Sequence, residues 1–257
     1  MKPQKDGLIK MSIETYGTGE RLRIAAGLSV PFGIERRIVL LPVPTTRDGV
    51  TVTSTDIPIS DAVSEPDDNT YVFGYGLPGW MVNSLCECGA HVTDLSQDEE
   101  YLLENAELTA IGALGYIITT SKAAPGDLSF GIVGYGRIGS CLTRLLLFFG
   151  ARVRVFTSRE SVRRELGAHD VSTSDASLPL DTSGIDVLIN TAPKDMSEGF
   201  IYGIPLGMRV IELASGKNFP GVEGVEYLPA LPERYFPMSA GRAYAAAVKR
   251  AITEGEI

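Results

Sequence analysis

The spacing of apolar and polar positions divides the chain near residue 122. Before that point, Arg36-Arg37-Ile38-Val39-Leu40-Leu41-Pro42-Val43 is an apolar run ended by proline, the pattern of a buried strand. A polar stretch with Gly, Thr and Pro follows from Pro44 to Glu65. Tyr71-Val72-Phe73-Gly74 predicts a second short strand, and Gly74-Tyr75-Gly76-Leu77-Pro78-Gly79 a tight loop. Trp80 to Cys88 predicts one helix with Gly89 as its C-terminal cap, and His91 to Leu95 a returning strand. Ser96-Gln97-Asp98-Glu99 has capping-box spacing. Leu102, Leu103, Ala106, Ala110, Ala113, Leu114 and Ile117 then recur at helical spacing. Tyr101 to Asn105 fits either a helical or an extended reading, and a helix over Leu108 to Thr120 is expected in both. Residues 1–35 offer Tyr16-Gly17-Thr18-Gly19 but no apolar strand before it.

After the turn Ala123-Ala124-Pro125-Gly126-Asp127 the alternation is more regular. Leu128 to Val133 predicts an apolar strand, Arg137 to Phe149 a helix closed by Gly150, and Arg152 to Phe156 a second strand. Ser161 to Leu166 reads as helix with Gly167 as cap. Strands are expected at Asp186–Asn190, Met208–Leu213 and Val225–Leu228, and a last helix at Ala240–Ile252 with Ser239 as N-cap. Strands alternating with helices imply parallel sheets, so the fold class is α/β.

The strongest local signal is Gly134-Tyr135-Gly136-Arg137-Ile138-Gly139, a GxGxxG motif. Alone that spacing is weak, but here a strand precedes it, a helix follows, and a second strand comes about twenty residues on. In such a loop Gly134 permits the tight turn, Gly136 lets backbone approach a pyrophosphate, and Gly139 lets helix pack against strand. The pyrophosphate would rest on free N–H groups at the positive end of the helix dipole. This reads as a doubly wound Rossmann dinucleotide-binding domain over residues 122–237. Residues 1–121 form a flavodoxin- or Rossmann-like substrate-side domain with a connecting helix, and 238–257 a C-terminal helix packing back across the domains.

The tip of the second strand reports on the cofactor. Phe156-Thr157-Ser158-Arg159 has no carboxylate for a ribose 2′-hydroxyl, but it has hydroxyls and an arginine suited to a 2′-phosphate, which favours NADP over NAD. Thr157, Ser158 and Arg159 are therefore candidates for the adenosine ribose end. The turns Asn190-Thr191-Ala192-Pro193 and Leu213-Ala214-Ser215-Gly216 follow later strands, so Thr191, Pro193 and Ser215 are expected to line the nicotinamide half. His91 and His169 each follow a helix cap and are read as surface residues, and no general base is nominated.

Composition narrows the partners. The chain of 257 residues carries a formal net charge of -9, which repels nucleic acid in the absence of a basic patch. Arg36-Arg37 and Arg163-Arg164 are isolated pairs, read as solvated faces. Cys86, Cys88 and Cys141 are an odd number, which argues for a reducing compartment, and Cys86-Glu87-Cys88 lacks a second pair to complete a metal site. No run approaches the ~20 apolar residues of a membrane helix, and Met1-Lys2-Pro3-Gln4-Lys5-Asp6 has no apolar segment behind it. A cytoplasmic, metal-free protein is expected, with a small-molecule substrate and further copies of itself as partners.

Several segments resemble, in order, the A-subunit family of dipicolinate synthase, oxidoreductases of bacterial sporulation. They are Leu40 to Thr46, Val72 to Gly76, Gly131 to Gly139, Gly150 to Val153, Asp186 to Pro193, Leu213 to Ser215, and Leu228 to Pro232 with Ser239-Ala240-Gly241. The resemblance covers residues 36 to 252 and is that of a divergent, N-terminally abridged member. It implies two α/β domains with a cleft between them, NADP as cofactor, oxidation of a dihydrodipicolinate-type ring to the pyridine dicarboxylate, and a separate flavoprotein partner subunit. Thr45, Thr46 and Ser239 are its candidate substrate residues. The family's Thr-x-Glu-Gly appears here as Thr109-Ala110-Ile111-Gly112, and Met238 stands where a basic residue is expected. Two alternatives stay open: a non-catalytic nucleotide-binding or assembly subunit, which Ile111 favours, and an enzyme of the D-2-hydroxyacid dehydrogenase type. The latter class needs an arginine after Ile211 and a histidine near the last helix, and both are missing.

Overall fold

A computed structural model describes residues 12–17, 19–27, 36–177, 179–193, 201–216 and 218–254. Met1 to Asp6 and Thr18 lie outside the described residues. The chain forms two compact units, Met1–Asn105 with Phe236–Ile257, and Ala106–Tyr235.

The first unit is a parallel sheet of β1 (Ser12–Thr15), β2 (Arg37–Leu40), β3 (Thr70–Gly74) and β4 (His91–Asp94), in that order. Successive side chains of a strand face opposite sides. Ile38 and Leu40 accordingly enter one core with Phe73, Leu95, Tyr101 and the helices α1 (Glu20–Ala26) and α7 (Pro237–Glu254). Val39 and Leu41 enter the other with Val52, Ile59, Met81 and Leu85, the last two from α2 (Gly79–Glu87). Both faces are covered, as a parallel sheet requires.

The strand β1 stands before Tyr16-Gly17, where the sequence pattern offers none. It is an edge strand with the polar sequence Ser-Ile-Glu-Thr, so it lacks the apolar run that marks a central strand. The Arg36-Arg37 pair is not a solvated face. Arg37 clamps Glu14 of β1 through Nε and Nη2 at 2.8 and 2.7 Å, and the Arg36 guanidinium lies 4.8 Å from the centre of the Tyr71 ring. Arg163 likewise holds Asp175 at 3.0 Å and donates to the Thr157 carbonyl, while Arg164 is exposed. His91 is half-buried and stacked on Tyr71, and His169 is exposed.

The helix α3 runs unbroken over Glu99–Thr120, including the segment that fitted either reading. Its cap is Asp98, whose Oδ1 accepts the Tyr101 N–H at 3.0 Å, so the capping box at Ser96 does not form. The two units divide inside this helix. Tyr101 belongs to the core of the first, whereas Ala110, Ala113, Leu114 and Ile117 belong to that of the second. Similarly, α7 starts at Pro237, which puts Ser239 inside the helix and not at its N-cap.

The second unit is a six-stranded parallel sheet: β5 (Ser129–Val133), β6 (Arg152–Phe156), β7 (Ser172–Ser174), β8 (Val187–Asn190), β9 (Arg209–Glu212) and β10 (Glu226–Tyr227). Their spatial order is β10-β9-β8-β5-β6-β7. Renumbered within the unit this is 6-5-4-1-2-3, the doubly wound dinucleotide-binding order, whose direction reverses between β5 and β8. Helix α4 (Arg137–Phe148) follows β5, α5 (Glu160–Ala168) follows β6, and the short α6 (Leu231–Tyr235) follows β10. Among the described residues, no helix is long and apolar enough to cross a membrane.

Candidate functional site

The point where strand order reverses is where open α/β sheets leave a crevice at the carboxyl ends of their strands. Here the loops after β5 and β8 face each other across it. At Gly134, φ is +89°, and an added Cβ would lie 3.0 Å from both the Ala192 Cβ and the Thr191 Oγ1. At Gly139 a Cβ would lie 2.4 Å from the Gly134 carbonyl oxygen and 2.7 Å from the Thr191 Oγ1. The first and third glycines are thus required by the protein's own packing. The middle one is not: a Cβ at Gly136 meets nothing within 4 Å. Gly136 is also the N-cap of α4 and supplies no side-chain cap, so the helix opens toward this space. An open cradle at the helix N-terminus fits a pyrophosphate, which needs N–H groups and no methyl in its way.

The other candidates cluster around that loop. Arg159, the N-cap of α5 at the end of β6, donates from Nη2 to the Tyr135 carbonyl and so lies along the glycine loop. Ser158 and Arg159 are exposed, whereas Thr157 is buried and its hydroxyl accepts the Arg159 N–H at 3.3 Å. Thr157 therefore shapes the turn, and Ser158 and Arg159 present the groups a ligand would meet. Tyr135 packs its ring on the second unit's core, and burial pushes its hydroxyl pKa up. Arg137 is exposed and Ile138 half-buried in the first turn of α4. Thr191 is half-buried and donates to the Val133 and Gly134 carbonyls at 3.0 and 3.3 Å, locking the two loops together. Pro193 and Ser215 are exposed in the turns after β8 and β9.

These two turns share a buried polar cluster that sequence reasoning missed. Glu212, at the end of β9, is 2 % exposed. It accepts from the Asn190 Nδ2 at 2.9 and 3.1 Å, from the Ala214 N–H at 2.9 Å and from the Asn218 Nδ2 at 3.1 Å. Asn190 also bonds both the N–H and the carbonyl of Ala192, at 3.0 Å each. Burial raises the Glu212 pKa above the ordinary carboxylate range, and the donors from Asn190, Asn218 and Ala214 pull it back down. A glutamate inside the apolar run Val210-Ile211-Glu212-Leu213 was the available signal.

The substrate candidates lie in the first unit. Thr45 is fully buried, and its hydroxyl donates to the Pro42 carbonyl at 3.2 Å and accepts the Tyr75 N–H at 2.8 Å. It ties the loop after β2 to the end of β3, and its hydroxyl is turned into the protein and not toward solvent. The Thr46 hydroxyl bonds Asp48 at 3.1 Å and the Gly49 N–H at 3.0 Å within a surface turn. Ser239 is exposed, as is its neighbour Met238, and Ile111 is half-buried on α3. Among the described residues, no cluster of three or more His, Cys, Asp or Glu has the form of a metal site.

No family model matches this sequence, and no curated protein matches it. The fold is similar to several solved structures. The dipicolinate synthase A-subunit from Bacillus halodurans superposes with a TM-score of 0.75 at 18% identity, covering 95% of this chain and 98% of that one. Its counterpart in the dipicolinate synthase of Bacillus subtilis gives 0.73 at 17%, covering 95% and 96%. A transhydrogenase from Sinorhizobium meliloti gives 0.61 at 16%, covering 84% and 74%. At such identities the likeness is one of fold alone.

Proposed function

We propose that this chain is an NADP-dependent oxidoreductase of the dipicolinate synthase A-subunit type, converting a dihydropyridine dicarboxylate to the aromatic pyridine dicarboxylate. The observation that carries the reading is the exposed Arg159 lying along the Gly134–Gly139 loop, beside an open cradle at Gly136 and with no carboxylate at the tip of β6. Backbone N–H groups of the loop and the first turn of α4 would hold the pyrophosphate. Arg159, with Ser158, would hold the 2′-phosphate, a planar cation against a dianion. Thr191, Pro193 and Ser215 would border the nicotinamide on turns that the Glu212 cluster holds in place. A nicotinamide held there would supply a hydride acceptor, and loss of one hydride and one proton from the ring would aromatise it. The protein's work is orientation and exclusion of water. The reading includes a cytoplasmic role in sporulation, self-association and a flavoprotein partner subunit.

Calorimetric titration of the wild type and Arg159→Ala with NADPH and NADH tests it. The expected result is tighter binding of NADPH, weakened about ten- to hundredfold in the variant through loss of a charge-assisted contact, with NADH affinity unchanged. Binding of neither nucleotide would overturn the reading. A second reading, a nucleotide-binding subunit without catalysis, is favoured by Ile111, which puts an apolar side chain where the family has a carboxylate, and by Glu212, whose oxygens are already engaged. Tight NADPH binding without turnover of dihydrodipicolinate would select it.

A further inference from the structure

Arg21 stands in the first turn of α1, at the carboxyl end of the first unit's sheet, and is 4 % exposed. It is the one buried arginine among the described residues. A guanidinium does not lose its proton in a protein, so the charge is buried with the side chain. Its Nη1 donates to the Tyr101 hydroxyl at 3.1 Å and its Nη2 to the Asn105 Oδ1 at 3.3 Å. Its Nε is buried with no hydrogen-bond partner. No carboxylate bonds Arg21 among the described residues.

Other arginines of this chain show what that edge is for. Arg23 presents Nε and Nη2 to Glu20, Arg37 presents them to Glu14, and Arg209 presents them to Glu226 at 2.7 and 3.1 Å. All three are in more contact with water than Arg21, and all three have a carboxylate on the edge that Arg21 leaves unmatched. Burying an uncompensated cation is costly, the more so with an orphaned donor. The residue is also held in place. A Cβ on Gly241 of α7 would lie 2.6 Å from Ile24, so α1 is seated tightly against α7, and the Tyr101 ring sits edge-on between Tyr75 and Tyr244 at 6.3 and 6.1 Å.

We propose that Arg21, with Tyr101 and Asn105, is the receptor for a carboxylate group of a small-molecule ligand taken side-on across Nε and Nη2. Open α/β sheets bind ligands at the carboxyl ends of their strands, where this cluster lies. A planar two-oxygen anion matches the two parallel N–H groups, whereas a phosphate dianion brings a second charge that one guanidinium leaves unmatched. The Asn105 contact is the longer of the two, and it is the one the ligand would replace. Assigning the carboxylate to the redox substrate rests on the oxidoreductase reading; the receptor itself does not.

The full chain, as wild type, Arg21→Gln and Arg21→Lys, is titrated with pyridine-2,6-dicarboxylate, its neutral diamide, acetate and inorganic phosphate. Thermal midpoint and calorimetry are read, with NADPH affinity measured on the same samples. The dicarboxylate should raise the wild-type midpoint where the diamide and phosphate do not. Both variants should bind it about tenfold more weakly or worse, Arg21→Lys because it keeps the charge and loses the paired edge. Equal binding by either folded variant, a phosphate response as large as the carboxylate one, or no wild-type response to either carboxylate overturns the proposal. Failure of NADPH to bind the wild type overturns the oxidoreductase reading and leaves the carboxylate result standing on its own.

Discussion

The glycine loop makes a prediction that separates fold from ligand binding, because two of its glycines are needed for different reasons. In Gly139→Ala the new methyl carbon would lie 2.4 Å from the Gly134 carbonyl oxygen, and a second close contact at 2.7 Å falls on Thr191. The neighbour at 2.4 Å is backbone, so relief requires α4 to move away from β5. Overpacking of this kind costs about 1–3 kcal/mol, while alanine recovers up to about 1 kcal/mol of helix propensity. The net loss is about 1–2 kcal/mol, and at about 2–4 °C per kcal/mol for a chain of this size the Tm should fall by several degrees. In Gly136→Ala the methyl meets nothing within 4 Å, and the backbone stays in an ordinary region at φ −89°. Its stability should change by about 0.5 kcal/mol or less. The added methyl would nevertheless occupy the space in which a pyrophosphate approaches the helix N-terminus, so NADPH affinity should drop about tenfold or more, or about 1.4 kcal/mol. Scanning fluorimetry and calorimetry on the two variants read both quantities. A Gly136→Ala protein that binds NADPH as tightly as wild type would refute the placement of the phosphate on this loop.

Three further outcomes follow from buried and half-buried polar groups. Glu212 has a raised pKa in the folded protein, so the folded state holds its proton where the unfolded state has lost it. Stability from this group is therefore present below the unfolded pKa and is lost as pH rises through the higher folded value. Relative to Glu212→Gln, the wild type should lose stability across that interval in urea titrations at stepped pH, and parallel curves would show that Glu212 does not titrate there. Glu226 behaves oppositely: the Arg209 hydrogen bond, aided by the Tyr116 hydroxyl, lowers its pKa, so its contribution is present above the unfolded pKa and lost as pH falls through the folded one. Arg209→Met should cost about 1 kcal/mol at neutral pH, and circular dichroism against pH should show its acid unfolding beginning at higher pH than in the wild type. Tyr244→Phe removes a fully buried hydroxyl that donates to the Leu41 and Phe73 carbonyls at 2.9 and 3.0 Å. It should cost about 1–2 kcal/mol in chemical denaturation, and an unchanged midpoint would mean that α7 is not tied to the sheet through this group.

How much of this molecule can be read from sequence depends on whether a residue's role is local. The α/β class and most central strands are legible because Ile38 to Leu41, Phe130 to Val133 and Val187 to Ile189 are buried on both sides and therefore apolar without interruption. The glycine loop is legible because Gly134 and Gly139 answer constraints within a few residues or across one neighbouring turn, and Gly136 completes their fixed spacing. The edge strand β1 is not, because one paired side and partial exposure allow Ser-Ile-Glu-Thr, which has no strand signature of its own. The start of α3 is ambiguous for a related reason: Tyr101 serves the core of the first unit and Ala110, Ala113, Leu114 and Ile117 that of the second, so one helix carries two apolar faces in succession. Thr45 illustrates the converse error, since a hydroxyl in a strand-end loop reads as a ligand group until its two partners, Pro42 and Tyr75, are seen to consume it.

Arg21 and Glu212 are the least legible residues, and for the same physical reason. A buried charge is stabilised by groups far away in the chain: Tyr101 and Asn105 lie 80 and 84 residues from Arg21, and Asn190 lies 22 from Glu212. Arg23, two positions on from Arg21 in the same short helix, is exposed and paired with Glu20. What separates them is which side of α1 is buried: Arg21 shares that side with Leu22 and Ala25, whereas Arg23 does not. Once the fold is known the contrast between these two charges is informative. Glu212 is buried with its acceptors filled, which is how a protein keeps a charge for structure. Arg21 is buried with a donor unfilled, and a chain that can place a glutamate on three other arginines has not done so there. The unfilled edge is therefore the better place to look for a ligand, and the filled carboxylate the better place to look for what holds the nicotinamide-side turns in shape.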